Sequence, residues 1–377
     1  MARAAASTAV NPRELRRYSR HLLIPEVGLR GQERLRNSRA LVVGAGGLGS
    51  PALQYLAAAG VGTIGVIDDD TVDETNLQRQ TIFATTDIGR NKATVAAERL
   101  RGLNPLVALE PLPFRLDESN AREIVRCYDV VLDCTDRFAT RYLINDACFF
   151  EKKLDVYASI FRFDGQLSVL CAADGPCYRC LFPQPPPIEL TPTCAEGGVL
   201  GALAGVMGSW QAGEALKVVL AIGEPLVGRI LLVDTLCSHV RELRFERDPE
   251  CDLCGAQPRI ERVEGMDLER AQADGSIAEV DAEGLDEALC DATLLDVREP
   301  HEAVLGTIDG ALCIPASQLE ERMSELDSSV RYVVACRVGV KSLWALRRLK
   351  EAGFGRLVHL RGGLLAYAAR REDFEFF

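Results

Sequence analysis

The segment Gly44-Ala45-Gly46-Gly47-Leu48-Gly49 constrains this chain more than any other. It follows a short apolar run, Arg39 to Val43, and precedes a helix-compatible stretch, Ser50 to Ala59. G-x-G-x-x-G at such a junction lets the backbone approach a phosphate and aims the amino-terminal amides of the next helix at it. A second apolar run, Thr63 to Ile67, ends in Asp68-Asp69-Asp70, and a third, Asp129 to Leu132, ends in Asp133-Cys134-Thr135-Asp136. Strands alternating with helices in this way imply an α/β fold with a parallel sheet, helices on both faces, and ligands at the carboxyl ends of the strands.

The glycine turn alone leaves the ligand open. Asp68 ends the next strand, where an acid hydrogen-bonds a ribose hydroxyl, so a nicotinamide-dependent oxidoreductase and an ATP enzyme both fit. Asn76, Arg79 and Lys92, with Asp136 after the third strand, favour ATP, because two cations and a carboxylate suit a triphosphate with magnesium.

With 377 residues, the chain has room for two or three domains. Residues 1–11 are Ala-rich at their start and expected to be disordered, and a first domain is expected over 12–258. Its second half carries shorter strands from Gly165 to Leu243, a proline-rich loop at Pro183 to Pro187, and a helix after Gly198. The apolar run Leu200 to Ile222 holds Gln211, Glu214 and Lys217 at helical spacing, which suits burial in protein rather than lipid. Residues 259–275 are charged with little apolar periodicity and read as a linker. A smaller α/β domain over 276–377 follows, with strands at Thr293 to Val297, Arg331 to Ala335 and Arg356 to Leu360, and helices at Gln318 to Leu326 and Ser342 to Glu351. The net charge of -12 argues against a nucleic-acid partner. No membrane span and no secretory signal are expected, which points to the cytoplasm.

In a reducing compartment the 13 cysteines are metal ligands, nucleophiles or buried thiols sooner than disulfides. Cys177-Tyr178-Arg179-Cys180 and Cys251-Asp252-Leu253-Cys254 are two C-x-x-C pairs, and four thiolates suit a closed tetrahedral zinc site. Cys194 precedes a helix, where amides lower a thiol pKa, though an inert buried thiol is also compatible. Cys336 opens Cys336-Arg337-Val338-Gly339-Val340-Lys341-Ser342 between a strand and a helix. Such a loop can curl its amides around a sulfur anion, and Arg337 and Lys341 add positive charge. Cys127, Cys134, Cys148, Cys171, Cys237, Cys290 and Cys313 are read as structural.

The segments Arg17-Tyr18-Ser19-Arg20, Gly44 to Gly49, Asn76-Leu77-Gln78-Arg79-Gln80 and Leu132-Asp133-Cys134-Thr135-Asp136 together resemble the MoeB/ThiF family of ubiquitin-activating-type adenylyltransferases over residues 12 to 255. The resemblance implies a Rossmann-like adenylation domain in which Gly44, Gly46, Gly47 and Gly49 form the nucleotide turn and Asp68 holds the ribose. It further implies that Asn76, Arg79 and Lys92 engage the phosphates, that Asp136 positions Mg2+, and that Arg20 reaches the partner's ATP in a homodimer. Arg137 stands where the family usually has Asn. Zn2+ at the four paired cysteines is implied too. Leu295-Asp296-Val297-Arg298-Glu299, the Cys336 loop and Arg361-Gly362-Gly363 resemble the rhodanese family from Ile277 onward, with Thr307 where His is frequent. That resemblance makes Cys336 the persulfide carrier.

The implied activity is ATP-dependent adenylation of a small ubiquitin-like sulfur carrier ending in Gly-Gly, followed by sulfur transfer. The sulfur comes from a persulfide donor such as a cysteine desulfurase, and the thiocarboxylate product serves cofactor synthesis, molybdopterin and thiamine among them, or tRNA thiolation. Cys194 then forms a thioester or resolves an acyl-disulfide. A rhodanese domain used only for docking, and a chain that binds nucleotide without adenylating anything, remain alternatives.

Overall fold

The computed structural model describes residues 11–185, 197–264, 277–304 and 306–371. These fall into two compact units, one comprising 11–185 with 197–264, the other 277–304 with 306–371.

The first unit is built on an eight-stranded sheet. In chain order its strands are β1 (Arg39–Val43), β2 (Thr63–Ile67), β3 (Ala108–Leu112), β4 (Val130–Asp133), β5 (Leu154–Phe161), β6 (Asp164–Leu170), β7 (Arg229–Asp234) and β8 (His239–Arg244). They lie in the order β3-β2-β1-β4-β5-β6-β7-β8. β1 to β5 are parallel, because the helices Gly49–Ala59, Lys92–Leu103 and Phe138–Glu151 carry the chain back over the sheet between strands. β1 sits between β2 and β4, so the strand order reverses there, and that reversal opens a crevice at the carboxyl ends of β1 and β4.

The parallel sheet expected from the sequence accounts for β1 to β5 alone. β5, β6, β7 and β8 pair antiparallel, in register from Phe161↔Asp164 through Asp234↔His239. Connection length explains two of these pairings, since Arg162 and Phe163 alone link β5 to β6, with Arg162 at φ 52, and residues 235–238 link β7 to β8, turns too tight for a helix; β6 and β7 pair antiparallel across a long connection that carries the helix Gly201–Leu220.

The helix Gly201–Leu220 packs across the same crevice. A side chain at Gly208 would come within 2.2 Å of the Leu48 carbonyl oxygen, so a glycine there sets how closely this helix meets the one after the glycine turn. Gln211 is fully buried, and its Nε2 donates to the carbonyls of Asp133 and Val156, both at 2.7 Å. Glu214 accepts from the Leu226 amide at 3.0 Å. The polar residues of this apolar helix thus pair with backbone groups of β4, β5 and the loop before β7. No helix among the described residues is long and apolar enough to cross a membrane.

The second unit is a five-stranded parallel sheet ordered β11-β10-β12-β13-β9, with β9 (Ala278–Val280), β10 (Thr293–Asp296), β11 (Leu312–Cys313), β12 (Tyr332–Ala335) and β13 (Leu357–Leu360). The helix Val340–Glu351 covers it, burying Ala345, Leu346 and Leu349. The helix expected over Gln318 to Leu326 is instead broken into one α-turn, Leu319–Arg322, and a 3-10 turn, Met323–Glu325. Only Leu319 and Leu326 are buried there, too narrow an apolar stripe to hold a continuous helix against the core.

Replacing Gln211 by Leu removes the side-chain donor from two carbonyls, that of Asp133 at the end of β4 and that of Val156 within β5. The expected loss is about 2–4 kcal/mol in chemical denaturation of this unit, with the second unit's transition unchanged.

Candidate nucleotide and persulfide sites

Gly44 leaves β1 at φ +95, where a side chain would be strained and would meet the Cys134 carbonyl oxygen at 2.9 Å. A Cβ on Gly49 would lie 2.0 Å from the Gly44 carbonyl oxygen. The turn therefore needs glycine at both ends, and it leaves the first amides of the helix Gly49–Ala59 facing the crevice.

Asp68, at the end of β2, is built into this turn. One carboxylate oxygen accepts the Ala45 amide at 2.7 Å and the other the Asp70 amide at 2.9 Å. Burial pushes its pKa up, and the charge of Lys92 pulls it part of the way back. Lys92 opens the helix Lys92–Leu103, is 6 % exposed, and places Nζ 3.1 Å from Asp70. Asn91 caps that helix and donates its side-chain amide to the carbonyls of Asp68 and Asp70 at 3.1 and 3.2 Å. A cation thus lies beside the acid at the glycine turn.

Arg79 lays its stem along Gly47, where a Cβ would lie 3.5 Å from the Arg79 Cγ, and its guanidinium donates to the Thr75 carbonyl at 3.0 Å. Asn76 closes the 3-10 turn Glu74–Asn76 as a local cap, its Oδ1 accepting from the Asp73 amide. Asp136 is exposed just past β4, in the turn whose Cys134 touches Gly44. Arg20 stands apart from its own chain's turn. Its neighbour Tyr18 packs against Gly60, and Tyr18 accepts a hydrogen bond from Asn104. Gly60 ends the helix that the turn begins, about 16 Å away by helix rise. Cys194 lies outside the described residues.

Gln80, which has no role in the sequence reading, is 4 % exposed and sets its amide beside Gly46. Its Oε1 is buried with no hydrogen-bond partner. Its place directly after Arg79 in the Asn76-Leu77-Gln78-Arg79-Gln80 segment is the signal that the sequence carries. Beneath the Asp136 turn, Asp133 and Asp155 are buried carboxyls, and burial pushes both upward while Arg141 offsets part of the effect. Asp133 accepts from the amide and hydroxyl of Thr135, and Arg141 donates to the Thr135 carbonyl, so the turn is held from below.

The two Cys pairs converge. The Sγ–Sγ distances are 3.9 Å for Cys177–Cys180, 3.7 Å for Cys177–Cys251 and 3.3 Å for Cys180–Cys254. A tetrahedron of sulfurs around zinc at about 2.3 Å has edges of about 3.8 Å, so the donor set fits. Hydrogen bonding to Cys177 lowers the pKa of Cys251 and lowers that of Cys254 to about 7. Tyr178 and Arg179, between the first two cysteines, anchor the group. The Tyr178 amide donates to Asn145 at 2.7 Å, and Arg179 forms a buried two-point pair with Asp146.

In the second unit Cys336 follows β12 and is 1 % exposed. The Gly339 amide donates to its sulfur at 3.2 Å, and the Ser342 hydroxyl lies 3.5 Å from it. Gly362 and Gly363 close the loop from the other side. A Cβ on Gly363 would lie 2.5 Å from the Cys336 carbonyl oxygen, which accepts the Leu364 amide at 2.9 Å. Lys341 does not lend its full charge to the sulfur, as the sequence suggested, because Glu302 holds its Nζ at 2.6 Å. Thr307, where the resemblance led one to look for His, approaches Asp296 at 3.4 Å. Among the other cysteines, Cys134, Cys148 and Cys171 are buried thiols whose pKa burial drives well up. Cys127, Cys237, Cys290 and Cys313 are exposed and so lack the packing role assigned to them.

Residues 18–253 match the ThiF family, and residues 281–370 match the rhodanese-like domain. The probable adenylyltransferase/sulfurtransferase MoeZ of Mycobacterium tuberculosis is 43% identical over 375 residues, covering 97% of this chain and 96% of the relative. The sulfur carrier protein adenylyltransferase of Thermus thermophilus is 52% identical over 250 residues, 65% of this chain and 92% of the relative. Among solved structures, E. coli MccB superposes with a TM-score of 0.57 at 21% identity, over 64% of this chain and 73% of that one, a likeness of fold alone. The chain belongs to the ThiF family, with a rhodanese-like domain following the ThiF domain.

Proposed function

We propose that this enzyme adenylates the C-terminal glycine carboxylate of a small ubiquitin-like sulfur-carrier protein and then transfers sulfur to it from a persulfide on Cys336. One observation carries the reading: a single chain holds a glycine turn flanked by Lys92 and Arg79 and a cysteine whose sulfur receives a loop amide. The relatives named adenylyltransferase/sulfurtransferase and sulfur carrier protein adenylyltransferase support it and set the oxidoreductase alternative aside.

In the first step a carboxylate oxygen of the carrier attacks the α-phosphorus of ATP, the bond to the bridging oxygen breaks, and pyrophosphate leaves an acyl-adenylate. The attacking group is already ionised, so no general base is needed. Gly44 to Gly49 cradle phosphate with backbone amides, Asp68 takes the ribose, and Asn76, Arg79 and Lys92 offset charge building on the phosphates. Lys92 must exchange part of its contact with Asp70 for phosphate. Asp136, an exposed carboxylate, would hold magnesium, which would supply positive charge against the phosphates.

In the second step the outer sulfur of the Cys336 persulfide attacks the acyl carbon, and AMP leaves. The product is an acyl-disulfide between carrier and Cys336. Attack of the Cys194 thiolate on the Cys336 sulfur then frees the carrier thiocarboxylate and forms a Cys194–Cys336 disulfide, which a dithiol reductant resets. A cysteine desulfurase is the class of enzyme that reloads Cys336. Arg20 belongs at the partner's nucleotide in a homodimer, a reading supported by its place away from its own glycine turn and by exposed Leu23 and Leu29 nearby. Zinc at Cys177, Cys180, Cys251 and Cys254 is structural, since four thiolates leave no open position.

Intact-mass analysis of Gly-Gly-ending carriers incubated with ATP, magnesium and a persulfide source tests the whole sequence. A carrier converted to thiocarboxylate by the native enzyme and only adenylated by Cys336→Ala is the expected outcome; no adenylation of any carrier refutes it. Lys92→Ala is expected to slow ATP–pyrophosphate exchange about 100-fold, in line with loss of one preorganised charge at a transition state. Metal analysis of the purified chain is expected to give stoichiometric zinc, lost in Cys177→Ser together with a fall of several degrees in the unfolding temperature of the first unit.

A further inference from the structure

Beneath the persulfide loop lies a buried histidine with no part in the chemistry above. His359 is in β13, 4 % exposed, opposite Val334 of β12 on one side and Glu279 of β9 on the other. Its Nε2 lies 2.9 Å from the Gly339 carbonyl oxygen and its Nδ1 3.3 Å from Glu279 Oε1. A carbonyl oxygen only accepts, so Nε2 carries a proton and donates it.

Gly339 is the same residue whose amide donates to the Cys336 sulfur at 3.2 Å. It caps the helix Val340–Glu351 in the left-handed region, at φ 94 and ψ -4. Glycine has the widest backbone freedom of any residue, so a loop that depends on its N–H needs something to fix the adjoining torsions. Packing supplies one restraint, because a Cβ there would lie 3.2 Å from the Gly362 amide nitrogen and 3.4 Å from His359 Nε2. The hydrogen bond from His359 supplies the other. It pins the carbonyl of Gly339, and through the torsions on either side of its Cα it fixes where the amide points. Glu279 accepts from Nδ1 when the ring carries a proton on both nitrogens, and that second bond fixes the ring.

We infer that His359, seated by Glu279, is a positioning residue of the sulfurtransferase site, holding the Gly339 amide on the Cys336 sulfur so that the persulfide anion meets a preformed donor. This rests on the persulfide reading of Cys336. A line of four groups results, Glu279, His359, Gly339 and Cys336, running from the far strand of the sheet to the reactive atom. Its chemical logic is that of an oriented oxyanion donor, transferred to sulfur. Loss of the histidine frees the glycine and costs rate, while leaving the cysteine in place.

The test uses the full chain, loaded with inorganic polysulfide and then treated with cyanide. The outer sulfur leaves the Cys336 persulfide as thiocyanate, the S–S bond breaking as the C–S bond forms, and the cysteine returns as thiolate. His359→Ala is expected to load with sulfur and transfer it about tenfold more slowly, a smaller loss than that of a donor touching the reacting atom. His359→Gln, whose amide nitrogen takes the place of Nε2, is expected to recover to within about threefold of the native rate. His359→Asn, whose amide nitrogen mimics Nδ1 instead, is expected to stay slow. ATP–pyrophosphate exchange in the same preparations is expected to be unchanged. Native rates in the Ala variant, or a Gln variant as slow as the Asn variant, overturn the role of His359; a merely structural residue would not distinguish the two amides. A native chain that forms thiocyanate no faster than Cys336→Ala overturns instead the persulfide reading beneath it.

Discussion

The contact of Gly44 with the carbonyl of Cys134 is the constraint on which the adenylation unit depends. It brings the ends of β1 and β4 together at the point where strand order reverses, and it is possible only because Gly44 has no side chain and adopts a positive φ. Everything that touches nucleotide in this reading hangs from that contact. Asp68 grips the turn through Ala45, Arg79 lies along Gly47, and Asp136 follows two residues after Cys134. A side chain at Gly44 would separate the two strand ends and move all three.

Around this contact the unit solves a problem of buried polarity. Strands that end in a crevice leave carbonyls without partners, and unpaired buried backbone groups are costly. Gln211 pairs two of them, and Arg141 with Asp133 braces the Thr135 turn. Asp68 at the site is itself partly desolvated, its pKa raised by burial, with Lys92 beside it in partial compensation. Lys92, 6 % exposed, is the poorly solvated cation that the proposed function turns toward phosphate at low dielectric.

The two units use the same physics on different anions. In the function proposed, a glycine turn and helix amino end of one unit present amides to phosphate; in the other, a glycine-containing loop presents an amide to sulfur. Both loops leave a strand of a parallel sheet at its carboxyl end, and both are braced by a polar residue on a neighbouring element, Asp68 in the first case and His359 in the second. The paired cysteines serve the first unit alone, locking Cys251 and Cys254 near its end against Tyr178 and Arg179, which are tied to Asn145 and Asp146.

Much of this was legible in sequence. The spacing of glycines after an apolar run, the acid at the end of the next run, the C-x-x-C pairs and the cysteine opening a strand-to-helix loop are local patterns whose physics needs only adjacent residues, and they fixed the fold class and the chemistry. Residues that work across the fold were less visible. In sequence Gln211 is only a polar residue in an apolar helix, the antiparallel edge β6 to β8 is hidden in short alternating runs, and Lys341 is a cation whose partner, Glu302, lies 39 positions away. His359 and Glu279 are 80 positions apart and become neighbours only because β13 and β9 pair. Sequence by itself determined which loops can offer their amides to an anion, since backbone amides in a glycine turn need no distant partner. Only the tertiary structure decided what holds those loops in place, because strand pairing alone chooses which buried polar side chain meets which unpaired backbone group.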